Sequence, residues 1–313
     1  YRGGALSGIF QSITVVVLLC ASVFFVFSGV TLGSVENARP LINNLAGISM
    51  VMLMVPSFMA GFNAIAQATE ETNVAPRTIG KLIIITVWAC VIFYIMIILG
   101  LSFAAPESIR GSGGVVVLDA MKNLFNSSTP RLFVAIAALI GMLTSWNAAY
   151  LVGSRLLFAL GRVGFLPESF SHLSSRHGTP SNAIIAVFVI SSLCTIMGTS
   201  QGVYVGIIDV LGFCIVVIWF MVSLSFLRLR RTRPEMNRPY KIPAGGFIGG
   251  MATILSIVCL LLYTPINPLG GLNTGELIGL GVLASAGIAL YYRYIIKGAL
   301  DEEQRRNILN KSI

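Results

Sequence analysis

Eight apolar stretches, each long enough to cross a lipid bilayer, limit what this chain can fold into. They run over residues 9–33, 43–68, 82–105, 131–163, 182–198, 203–227, 248–264 and 275–297. A hydrocarbon core about 30 Å thick takes about 20 residues of helix, and the helix satisfies every backbone N–H and C=O within the segment. No alternating pattern of barrel strands competes with these stretches. Charge content points the same way, because only 11% of residues are charged where a soluble domain carries about 25%. The expected class is an all-α polytopic membrane protein with eight transmembrane helices.

The net charge of +9 follows topology rather than a nucleic-acid surface. With the chain starting in the cytoplasm, loops 69–81, 164–181 and 228–247 and the C-terminus collect most of the Lys and Arg. Of the 21 cations, only Arg39, Arg110, Lys122 and Arg131 fall on the other side. That asymmetry is the positive-inside signal and fixes the expected orientation. The clusters are expected to touch anionic membrane lipid, and a nucleic-acid partner is excluded. Cys20, Cys90, Cys194, Cys214 and Cys259 lie within apolar spans without metal spacing, and read as small core residues. Trp88, Trp146 and Trp219 read as packing residues inside spans. His172 and His177 sit in a cytoplasmic loop that offers no further ligands, so no metal site is expected. Neither a paired acid and base nor a nucleophile elbow is present, which argues against an enzyme. The sequence opens at Tyr1 without an initiating Met and reads as a fragment.

The second span, "VPSFMAGFNAIAQATEE", is the most informative segment. Pro56 removes a helical donor and Gly61 lets the backbone leave the helix. Two readings stand at this point: a proline kink with glycine packing, or irregular backbone lining a wet cavity. Glu70 and Glu71 end the span near Arg77 and Lys81, either as an inner gate or as solvated interfacial charge. Asp209 is the one carboxylate well inside a continuous apolar run, a candidate for ion coupling by default, unless it reaches water at the nearby outer end. Between spans three and four, "GVVVLDAMKNLFN" has helical apolar spacing and predicts a short amphipathic helix over the outer mouth. The fourth span is too long for a straight crossing.

Three segments then resemble the amino acid–polyamine–organocation permeases. "GFNAIAQATEETNVAPRTIGK" is similar to the family's sixth-helix signature. "NAAYLVGSRLLFALGRVGFLPESFSHLSSRHGTPSNAI" is similar to the eighth-helix signature, and "LRLRRTRPEMNRPYKIP" to the exit from the tenth. They occur in order at the right spacing. The resemblance implies that the eight spans are helices five to twelve of a twelve-helix transporter, with helices one to four absent. The implied fold is an inverted-repeat five-plus-five, leucine-transporter-like bundle. Residues 1–227 would form part of its core, 228–247 a basic cytoplasmic loop, 248–297 two peripheral helices and 298–313 a tail.

The same resemblance implies secondary active transport of amino acids or related amines by alternating access. The unwound segment maps onto Ser57, Phe58, Met59, Ala60, Gly61 and Asn63, with main-chain groups of Phe58, Met59 and Ala60 meeting the substrate's amino group and Phe58 as the gate. Two positions depart from the family. Asn63 replaces an aspartate, and Leu18 stands where some proton-coupled members carry a lysine. Thr144 and Ser145 fall where sodium-coupled relatives of the fold place ion ligands, although such hydroxyls also bond to their own helix. The expected coupling ion is Na+ through that pair, as the resemblance implies, or H+ through Asp209, as its place in an apolar run suggests, with no other cofactor. The implied location is a bacterial inner membrane. The competing function is a non-transporting, permease-derived scaffold or sensor.

Overall fold

The computed structural model describes residues 4–39, 44–67, 74–110, 115–174, 178–236, 238, 240–265, 267 and 271–293. All regular structure among them is helical: α1 (Gly4–Leu32), α2 (Leu45–Phe58), α3 (Asn63–Gln67), α4 (Pro76–Ala104), α5 (Glu107–Arg110), α6 (Val116–Phe125), α7 (Ser128–Arg162), α8 (Ser181–Met197), α9 (Gln201–Thr232), α10 (Gly245–Leu262) and α11 (Thr274–Tyr291). Seven segments are long and apolar enough to cross a membrane, with α2 and α3 together counting as one, Leu45–Ala66. The protein is therefore a polytopic helical membrane protein. The expected span at 182–198 is α8, only 17 residues long. Pro180 precedes it and Gly198 caps it, the Gly198 N–H bonding the Cys194 carbonyl at 2.8 Å. At 1.5 Å per residue it extends about 26 Å, just short of the hydrocarbon thickness. By contrast α7 has 35 residues, about 52 Å of helix, and overshoots the same layer.

The chain divides into two compact units. The first comprises Tyr1–Asn43, Ile84–Leu151 and Ser175–Thr179. Here α1 and α4 approach backbone to backbone: a β-carbon at Gly29 would collide with the Gly100 carbonyl, and one at Gly33 with that of Phe103. Without a hydrophobic driving force between helices in lipid, such close approach supplies dispersion contact that bulkier residues forbid. Polar bonds close the end of this pair, with Ser34 N–H and Asn37 Nδ2 donating to the Phe103 carbonyl at 3.1 and 2.8 Å. The expected amphipathic helix is α6. Its Ala120 and Met121 are buried with Phe25, Ala104 and Ala105, while Lys122 is exposed.

The second unit comprises Asn44–Ile83, Val152–Ser174 and Pro180–Ile313. Antiparallel α9 and α10 pack through a ladder of small residues on α10. Thr253 Oγ1 donates to Ser223 Oγ at 3.1 Å. One turn on, a β-carbon at Gly249 would lie 2.8 Å from Leu227 Cδ2 and Phe226 Cδ1, and at Gly245 it would overlap the Arg230 guanidinium. Two expectations are corrected. Cys20 and Cys194 are exposed and the other three cysteines only half-buried, while Trp88 and Trp146 are 63% and 64% exposed. An apolar residue on a lipid-facing helix gains little by turning inward, so hydrophobicity does not select the packed face here.

Candidate functional site

The second span is broken where Pro56 and Gly61 predict. Pro56, buried within α2, has no N–H, so the Met52 carbonyl four residues back loses its helical donor. The α-helical ladder ends at Met59 N–H, which bonds the Val55 carbonyl at 2.9 Å. Ala60 N–H reaches only Ser57 at 3.4 Å, and helix resumes at Asn63. Between them Gly61 takes φ 120°, a conformation that side chains with a β-carbon rarely adopt. Among the described residues, the amides of Gly61, Phe62 and Asn63 and the carbonyls of Met59 and Ala60 make no hydrogen bond. Three donors and two acceptors thus gather within five residues, and Ala60 and Gly61 are exposed. Such a group can bind a carboxylate through its N–H groups and an ammonium through its carbonyls.

The helix on the N-terminal side of the break is stapled along one face. Asn267 Nδ2 donates to Ser49 Oγ at 3.3 Å, the Tyr263 hydroxyl to the Leu53 carbonyl at 2.5 Å, and Ser57 Oγ to the Ile208 carbonyl at 3.1 Å. These anchors recur every four residues, once per turn. The Tyr263 bond falls in the turn that the proline loosens. Gly212 permits this packing, since a β-carbon there would lie 2.9 Å from Ser57 Oγ and 3.2 Å from the Leu53 carbonyl. Beyond the break the Phe62 ring lies near that of Trp219, ring centroids 6.1 Å apart. Trp219 Nε1 is buried without a partner among the described residues.

Of the residues expected around the break, Ser57 turns its hydroxyl to α9, Phe58 is 58% exposed, and Asn63 opens α3. Asp209 lies in the same unit, on an α9 stripe with Gly206 one turn before it and Gly212 one turn after. Gly206 faces Glu276, which is 8% exposed. A β-carbon at Gly206 would lie 3.3 Å from Glu276 Cγ. The Glu276 carboxylate accepts from Asn273 N–H at 2.8 Å while Glu276 N–H donates to Asn273 Oδ1 at 3.0 Å, the capping box that opens α11.

Thr144 and Ser145 belong to the first unit. Thr144 Oγ1 donates to the Gly141 carbonyl at 2.7 Å and Ser145 Oγ to the same atom at 3.1 Å. Each proton is committed to its own helix, while the oxygen lone pairs stay available to a cation. Leu18 packs on this turn: a β-carbon at Gly141 would lie 3.1 Å from Leu18 Cδ1. Glu70, Glu71 and His177 lie outside the described residues, while Arg77 and His172 are exposed. One turn after Arg77, the Tyr240 ring seats on Gly80. Sequence reasoning missed Tyr263, Asn267 and Glu276. Each lies at or beyond the end of an apolar run, where a polar residue looks interfacial.

A family model described as amino acid permease matches residues 2–286. The chain belongs to the amino acid permease family. A branched-chain amino acid permease, BcaP, of Lactococcus lactis is 26% identical over 94% of this chain and 62% of its own length. The aromatic amino acid transport protein AroP of Corynebacterium glutamicum is 26% identical over 60% of this chain and 42% of its own length. BcaP of Bacillus subtilis is 24% identical over 69% of this chain and 45% of its own. This permease chain thus spans roughly half the length of these relatives.

Proposed function

We propose that this chain is part of a secondary active transporter that carries amino acids or related amines by alternating access, with the substrate held at residues 57–63. The break in the second span supports this reading most directly. Unpaired amides at Gly61, Phe62 and Asn63 beside unpaired carbonyls at Met59 and Ala60 match the two charged ends of a zwitterion. Unsatisfied backbone in a bilayer costs several kcal/mol per group unless a ligand or water meets it, so a substrate that meets these groups is favoured there. The relatives' names concern branched-chain and aromatic amino acids, and Phe58, Phe62 and Trp219 would supply an apolar surface for such side chains.

In this mechanism the stapled α2 is the fixed half of the site and α3 the half that moves. Coupling runs through Na+ at the Thr144 and Ser145 oxygens or through H+ at Asp209, and Arg77 with Glu70 and Glu71 closes the inner side. The basic loops face the cytoplasm of a bacterial inner membrane. Uptake by the full-length polypeptide in proteoliposomes, with radiolabelled amino acids and imposed Na+ or H+ gradients, tests the proposal. Saturable, gradient-driven uptake is the expected result. Absence of uptake and of counterflow across the whole panel would favour the scaffold or sensor.

A further inference from the structure

One flank of α9 carries an apolar groove of about 480 Å³, lined by Ile218, Met221, Val222, Phe226 and Leu229 among others. From Val217 to Leu229 the groove follows twelve residue steps of helix, about 18 Å, which is near half of the hydrocarbon core and hence one leaflet. It ends where α9 gives way to the basic loop, with Arg228, Arg230, Arg231, Arg233, Arg238 and Lys241 against the single acid Glu235. Apolar length and charge change over at the same place.

Arg230 differs from its neighbours in that loop. Its guanidinium lies over the Phe226 ring, 4.7 Å from the centroid, and is seated on Gly245 at the start of α10. Phe226 in turn is pinned by Gly249, so the cation is held at the groove's end rather than left to swing in water. Of its five N–H donors, one Nη2 donor reaches the Ile242 carbonyl at 3.4 Å, and Nε is buried without a partner among the described residues. No carboxylate pairs with it among those residues. Arg238, by comparison, is used within the protein, donating to the Leu229 and Arg233 carbonyls at 3.1 and 2.7 Å.

We propose that this groove and Arg230 form a binding site for an anionic phospholipid, with an acyl chain along Ile218, Met221 and Val222 and the headgroup phosphate on the guanidinium. A planar fork held in place favours a phosphate over a diffuse counter-ion, because two parallel charge-assisted bonds form without further ordering of the side chain. The site is independent of the substrate reading, since no residue of the break contributes to it.

The test places the full-length protein in phosphatidylcholine nanodiscs doped with a photoreactive lipid, either phosphatidylglycerol or phosphatidylcholine with a diazirine in the acyl chain. Labelled peptides are then mapped. The expected result is labelling of residues 217–229 by the phosphatidylglycerol probe, reduced about tenfold by Arg230→Gln, which removes the charge-assisted bonds. Arg231→Gln, an equal change in net charge, should leave labelling within about twofold, as expected of an exposed charge. Val222→Trp, which fills the groove from a position 62% exposed, should displace the label even if Arg230→Gln fails to fold. Equal labelling by both probes, equal loss in both arginine variants, or labels confined to other helices would each overturn the proposal.

Discussion

Replacing Gly61 with alanine isolates a backbone effect from packing. Among the described residues a β-carbon at Gly61 would meet no atom within 4 Å, so the substitution creates no clash with them. What changes is the backbone: φ is 120°, and holding a residue other than glycine in such a region costs about 1–3 kcal/mol. Alanine also favours continuous helix over glycine by about 1 kcal/mol. Together these move the balance between broken and continuous helix by about 2–4 kcal/mol, or about 30- to 700-fold. If the open amides and carbonyls bind substrate, affinity should fall by that factor. The assay is equilibrium binding of a radiolabelled branched-chain or aromatic amino acid to the full-length protein in nanodiscs, with thermal unfolding alongside. Gly279→Ala is the control, since that glycine also faces open space but lies within α11. Wild-type affinity in Gly61→Ala, with the protein folded, would refute the argument that the left-handed residue holds the site open.

Removing the Tyr263 hydroxyl (Tyr263→Phe) leaves the Leu53 carbonyl without that donor in the proline turn, and should destabilise the protein by about 1–3 kcal/mol, read as a lower unfolding temperature in detergent. Gly212→Ala forces α2 away from α9, with an expected cost of about 1–3 kcal/mol from overpacking and a loss of substrate binding that Gly202→Ala, with open space around it, does not share. Thr144→Val with Ser145→Ala should abolish any Na+ dependence of uptake while leaving thermal stability nearly unchanged, because among the described residues both hydroxyls bond within their own helix turn. Asp209→Asn should abolish uptake driven by a proton gradient and spare substrate counterflow if that carboxyl carries the proton. Unchanged proton-driven uptake would remove Asp209 from the coupling scheme.

Much of the architecture was legible in one dimension because a bilayer imposes a one-dimensional rule. Span length, the break at Pro56 and Gly61, and the amphipathic spacing of Val116–Phe125 depend on residues close together in the chain. The 17-residue α8 shows the limit of that reading, since hydropathy marks an apolar run while Pro180 and Gly198 decide how much of it is helix.

Partners could not be read the same way. Ser49 with Asn267, Leu53 with Tyr263 and Ser57 with Ile208 are separated by 218, 210 and 151 residues. In a soluble helix the apolar stripe would have marked the buried face. In these spans nearly every face is apolar, so Trp146 can point outward while Gly212 and Ser57 form the packed seam. The sequence by itself determined where the chain crosses the membrane and where a crossing breaks. Only the tertiary structure decided which small and polar residues meet across helices, because in lipid those close approaches and hydrogen bonds, rather than hydrophobicity, hold the helices together.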